Sequence, residues 1–133
     1  MLPIEHLGIA VKDLEKSIAL FEQLLNTPCY KTESVPSEQV KTAFFQTGES
    51  KIELLEASNP DSPISKFIEK KGEGIHHVAF AVENIEAEMK RLSALGFVLL
   101  NETPQPGADN KLVCFLHPKS TNGVLVELCM SVD

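Results

Sequence analysis

The chain states one pattern twice. IEHLGIAVKDLEK (Ile4 to Lys16) overlays IHHVAFAVENIEA (Ile75 to Ala87), which places His6 on His77, Asp13 on Asn84 and Leu14 on Ile85 at an offset of 71 residues. Further on, KIELLE (Lys51 to Glu56) overlays VLVELC (Val124 to Cys129), and Glu53 falls on Glu127 at an offset of 74. The three-residue difference fits the longer turn in HPKSTNG (His117 to Gly123). An internal duplication confines the fold to two equivalent modules.

Each half alternates first and then turns helical. In Ile4 to Val11, Leu7, Ile9 and Val11 share one face of a strand and His6, Gly8 and Ala10 the other. Asp13 then caps a helix through about Leu25, with Leu14, Ile18, Phe21 and Leu25 on its apolar stripe. Extended segments are predicted at about Cys29 to Val35, Val40 to Gln46 and Ser50 to Glu56, the last two joined as a hairpin by TGES at Thr47 to Ser50. Ser62-Pro63 starts a short linker helix, Ile64 to Lys71, which Gly72 stops. The second half repeats the order: a strand over Ile75 to Val82, and a helix from the Asn84 cap to about Leu95, ended by Gly96. Extended segments follow at about Phe97 to Asn101, Lys111 to His117 and Gly123 to Cys129. The expected fold is α+β, a pair of βαβββ modules in one domain over 1–133, with module one at about 1–57, the linker helix at 58–73 and module two at 74–133.

Bulk properties narrow the function. At 133 residues, 43% hydrophobic and 23% charged, the chain has the make-up of one globular domain. Its net charge of −7, with lysines and arginines scattered, argues against nucleic-acid or anionic-membrane partners, which need a contiguous basic face. No apolar run approaches the ~20 residues of a membrane-spanning helix, and no basic-then-apolar leader precedes the first strand, so a cytoplasmic protein is expected. Cys29, Cys114 and Cys129 make neither a metal-type pair nor an even disulfide framework and read as reduced thiols.

The duplicated polar residues carry the chemistry. Each half sets a histidine among small neighbours, Gly8 and Ala10 or Ala79 and Ala81, which leaves room on that strand face. Each half also sets a glutamate between apolar residues, Ile52 and Leu54 or Val126 and Leu128. A carboxylate in a sheet interior is costly unless something compensates it. If the modules pack with pseudo-twofold symmetry, His6, Glu53, His77 and Glu127 converge, and two imidazoles with two carboxylates suit one divalent transition metal. Six-coordinate Co²⁺, Mn²⁺, Fe²⁺, Ni²⁺ or an expanded Zn²⁺ leaves about two positions open for a substrate. Either histidine alone is more often structural, and either glutamate alone can be an exposed edge residue; the repeat is what joins the four. His76 has no counterpart, since Glu5 occupies its place, and it faces away from His77 as a structural or supporting group. His117, at a strand end, serves a substrate or caps the turn.

With these residues in place the chain resembles the vicinal oxygen chelate superfamily, and more closely its methylmalonyl-CoA epimerase family. The matching motifs are HxGIAVxDLE at His6 to Glu15, KIELLE, DSPIxKF at Asp61 to Phe67, GEGIHHVAF at Gly72 to Phe80 and FLHPKSTxGVLVEL at Phe115 to Leu128. The resemblance implies a curved, partly open sheet around a metal held by His6, Glu53, His77 and Glu127, with Co²⁺ first and Mn²⁺, Ni²⁺, Fe²⁺ or Zn²⁺ as other divalent choices. It implies exchange of the α-proton of methylmalonyl-CoA between its 2R and 2S epimers through a metal-stabilised enolate, with Glu127 moving the proton. It further implies an acyl-CoA as small-molecule partner, a homodimer, and Lys119, Ser120 and His117 as substrate-binding residues. Some relatives carry a second glutamate in the strand after the EQxV segment; here SEQVKTAFF has Lys41 or Thr42 there, which leaves a second acid–base group to Glu53, Glu38, a water or Lys41. The competing readings are a glyoxalase I type lactoylglutathione lyase and a non-catalytic ligand-binding module of the same fold.

Overall fold

The computed structural model describes residues 3–132. Eight strands and three helices follow in the order β1 (Ile4–Ala10), α1 (Leu14–Leu25), β2 (Lys31–Val35), β3 (Val40–Thr47), β4 (Ser50–Ala57), α2 (Pro63–Lys71), β5 (Gly74–Ala81), α3 (Ile85–Ala94), β6 (Gln105–Gly107), β7 (Lys111–Leu116) and β8 (Val126–Ser131). The chain divides into two compact units, one of residues 6–76, which includes α2, and one of residues 77–132 together with 3–5.

In the unit of residues 6–76, β2, β3 and β4 form an antiparallel meander, and β1 lies parallel to β4. In the second unit β6, β7 and β8 do the same, with β5 parallel to β8. The duplicated sequence thus folds twice into one topology. Each parallel pair is made possible by the helix between its strands, since parallel strands need a long crossover.

Local signals work as the residue types demand. Asp13 Oδ1 accepts from the Lys16 N–H at 3.2 Å and Asn84 Oδ1 from the Ala87 N–H at 3.0 Å, a cap worth about 1 kcal/mol each. Ser62 Oγ accepts from the Ile64 N–H at 3.2 Å, Pro63 opens α2, and the Gly72 N–H closes it on the Ile68 carbonyl with φ 78°. Below α1, Val11, Leu14, Ala43, Phe45 and Leu54 form a dry layer joined by Ile18 and Phe21; below α3, Val82, Ile85, Met89, Leu92, Cys114, Leu116 and Leu128 do so. Burying each of the larger side chains contributes about 1.5–3 kcal/mol. These layers occupy one face of each sheet and leave the histidine-bearing face for the site.

One expected strand is cut short. Phe97 to Asn101 forms a single bridge, Leu99 to Leu116, although the Leu100 N–H reaches the Phe115 carbonyl at 2.8 Å and the His117 N–H the Val98 carbonyl at 2.8 Å. The side chain of Asn101 ends the pairing, because its Oδ1 takes the Phe115 N–H at 3.0 Å in place of a backbone carbonyl. The outer partner of β7 is instead β6, which pairs through Gly107 and Lys111 across a turn with Asp109 and Asn110 both at positive φ. The final strand also starts later than Gly123, after the turn at Pro118–Ser120.

Candidate metal centre

The parallel pairs set the geometry of both half-sites. In the unit of residues 6–76, Gly8 lies across from Glu53, so the carboxylate leans over a residue without a side chain while His6, two positions earlier, shares its face. Across β5 and β8, Ala79 lies opposite Glu127 and His77 takes the equivalent place. His6 Nε2 is 3.1 Å from Glu53 Oε1, and His77 Nε2 is 3.1 Å from Glu127 Oε1. All four residues are buried, at 4–5% exposure.

These pairs fit the donors of a metal ion. Two ligands at right angles, each about 2.1 Å from an ion, stand about 3 Å apart, the separation found in each pair. Imidazole with carboxylate is also the borderline donor set that first-row divalent ions take. Each buried carboxylate thus has an imidazole nitrogen as its close polar neighbour.

The surroundings differ between the halves. Phe44 is the cross-strand partner of Glu53, and Phe115 that of Glu127. Phe44 is sealed, at 1% exposure, with the Tyr30 ring 6.1 Å away. Phe115 keeps part of its surface exposed, packs on Ala79, Val113 and Cys129, and meets His77 edge-on with ring centroids 5.8 Å apart. The repeat offers this pair at the same offset of 71, VKTAFFQ over KLVCFLH, but the motifs centred on histidine and glutamate pass over it.

The register also places the residues near the absent second glutamate. Lys41 pairs with Glu56 and so faces away from Glu53. Thr42, across from Leu55, shares the face of Glu53; it is fully buried, and its Oγ1 donates to the Glu33 carbonyl at 3.3 Å. His76 stacks edge-on against Phe67 at 4.9 Å on the other side of its strand. His117 caps the turn that follows β7: its Nδ1 accepts from the Lys119 N–H at 3.0 Å, and its carbonyl accepts from Ser120 Oγ at 2.9 Å. Ser120 Oγ in turn accepts from the Val98 N–H at 3.3 Å. Cys29, Cys114 and Cys129 are free thiols, and burial pushes the Cys114 thiol up, against a smaller opposing pull from the backbone of Asn101.

Residues 5–115 match the Glyoxalase/Bleomycin resistance protein/Dioxygenase superfamily. The ethylmalonyl-CoA/methylmalonyl-CoA epimerase of Cereibacter sphaeroides is 41% identical over 127 residues, covering 94% of this chain and 95% of that protein. The chain belongs to that superfamily and, within it, to the methylmalonyl-CoA epimerase family. The human mitochondrial methylmalonyl-CoA epimerase is 40% identical over 126 residues, or 94% of this chain and 72% of that protein. A variant of the Streptomyces coelicolor methylmalonyl-CoA epimerase, in complex with 2-nitronate-propionyl-CoA, superposes with a TM-score of 0.94 at 31% identity over 100% of this chain and 99% of that one. Likeness over the whole length places the chain in the mixed α+β fold of this family.

Proposed function

We propose that the chain is a divalent-metal-dependent isomerase that interconverts the 2R and 2S epimers of methylmalonyl-CoA. The observation that carries the reading is the pair of repeat-equivalent, buried His–Glu contacts, His6 with Glu53 and His77 with Glu127, in a chain of the epimerase family. In this proposal all four side chains hold one ion, Co²⁺ in the first place. The bound ion supplies electrostatic stabilisation of the negative charge that develops on the thioester oxygen when the α-carbon loses its proton.

The chain's own residues supply the rest. Glu127 removes the α-proton, with His77 at 3.1 Å and the Phe115 ring fixing its position. Glu53, its equivalent in the other module, would return a proton to the opposite face from a carboxyl that is protonated and partly detached from the ion. Lys41 does not serve, because it stands on the other face of β3 from the His6–Glu53 pair. The apolar surround of Ala79, Val113 and Cys129 keeps water from competing for the carbanion. Lys119, presented by the turn that His117 and Ser120 hold together, offers an ammonium to the CoA phosphates, which a protein of net charge −7 must attract by a local donor. A cytoplasmic homodimer completes the proposal; among the described residues no helix is long and apolar enough to cross a membrane, and Leu20 and Leu24 leave an apolar strip exposed on α1.

The test follows the α-proton of methylmalonyl-CoA by NMR in D₂O, with metal-loaded and chelated protein. Metal-dependent deuterium uptake with interconversion of the epimers is expected. A protein that binds metal stoichiometrically but exchanges no proton overturns the substrate assignment.

A further inference from the structure

The two halves offer equivalent phenylalanines beside equivalent glutamates, and they treat them differently. Phe44 is closed off, with the Tyr30 ring 6.1 Å away, whereas Phe115, whose ring meets that of His77, keeps part of its surface exposed. We propose that Phe115 is the specificity-determining wall of the site, the surface against which the substituent on the substrate's α-carbon packs and which limits its size. The inference rests on the epimerase reading above and on Glu127 as the group that meets the α-proton.

The geometry follows from the strand register. A base reaches a proton at about 2.6–3.2 Å between heavy atoms, so the α-carbon sits against the Glu127 carboxylate. The α-substituent, one bond further, lies within van der Waals reach of the residues that flank that carboxylate. Directly opposite residues in an antiparallel pair hold their Cβ atoms about 4.5–5.5 Å apart, and the residue opposite Glu127 is Phe115. The other apolar residues around Phe115, namely Ala79, Val113 and Cys129, are 0–4% exposed and offer no free surface. Phe115 alone in that cluster is large and still partly open.

Its position is also held firmly. The Phe115 N–H is tied to Asn101 Oδ1 at 3.0 Å, its carbonyl accepts from the Leu100 N–H at 2.8 Å, and its ring abuts the His77 imidazole. The backbone bonds fix where the side chain starts, and the His77 ring limits its rotation on one side. Discrimination by an apolar wall is modest, about 10–200-fold per methylene.

The experiment compares kcat/KM for ethylmalonyl-CoA and methylmalonyl-CoA in the wild type, Phe115→Ala, Phe115→Leu and, as the repeat-equivalent control, Phe44→Leu. Metal stoichiometry and circular dichroism are recorded for each. The expected result is a rise of about tenfold or more in the ethyl-to-methyl ratio for Phe115→Ala, a smaller rise for Phe115→Leu, and an unchanged ratio for Phe44→Leu. Should Phe115→Ala fail to fold, the leucine variant decides the matter alone. An unchanged ratio at Phe115, with metal still bound, overturns the inference and leaves the ring as a support for His77 only. An equal change in the Phe44 variant overturns it as well. A wild type that exchanges the α-proton of neither thioester removes the epimerase reading and this inference with it, an outcome distinct from exchange with an indifferent ratio.

Discussion

Glu127 is the residue on which most of the chemistry converges. It is buried, stands 3.1 Å from His77 Nε2 and faces Phe115 across the strand gap. Glu127→Gln keeps the volume and the strand pairing while removing the negative charge and the proton acceptor. We expect turnover to fall by about 10²–10⁴-fold or more, while the chelated variant keeps the circular dichroism spectrum and the thermal midpoint of the chelated wild type. Wild-type exchange rates in this variant would refute the role. Sequence alone singles out this residue because charge in an apolar strand is rare and because the repeat supplies a second copy. Phe115 and Asn101 escape the same reading. Their importance lies in cross-strand contacts from residues 14 positions apart and from β8, and no periodicity marks such partners.

At the scale of the strand, the small residues set the space. Gly8 opposite Glu53 and Ala79 opposite Glu127 let each carboxylate lie back against the sheet and meet its histidine. Ala79 is fully buried, so Ala79→Leu must push either Glu127 or Phe115 out of place, at a cost of about 1–3 kcal/mol in overpacking. The expected outcome is loss of tight metal binding in calorimetric titration while the circular dichroism spectrum is kept; full metal affinity would show that the space is not needed. The same scale explains what was legible. Strands with strict alternation and helices with Asp13, Ser62 and Asn84 caps are readable because the signals are local. The stretch Phe97 to Asn101 is not, since only the fold brings the Asn101 amide to the Phe115 N–H, where it replaces a ladder bond.

For the whole molecule, the decisive question is how many ions the two modules take. Each half carries its own His–Glu pair, and a pair with two waters can hold an ion weakly by itself. If the pairs served separate ions, the chain would bind two, and His6→Ala would abolish one and spare the other. The proposed shared site demands a different result: one ion per chain, and loss of tight binding from either His6→Ala or His77→Ala. Removing one of four ligands leaves two carboxylates and one imidazole that no longer satisfy the ion, so affinity collapses rather than halves. Stability offers a second readout, because a ligand bound only by the native state adds RT ln(1 + [L]/Kd), about 4 kcal/mol at a thousandfold excess over Kd. Chelation is therefore expected to lower the thermal midpoint of the wild type by several degrees and to leave both histidine variants almost unmoved. Two ions per wild-type chain, or a chelation shift retained in His6→Ala, would mean that the duplicated modules work as independent sites, and the single-ion mechanism would fall with that result.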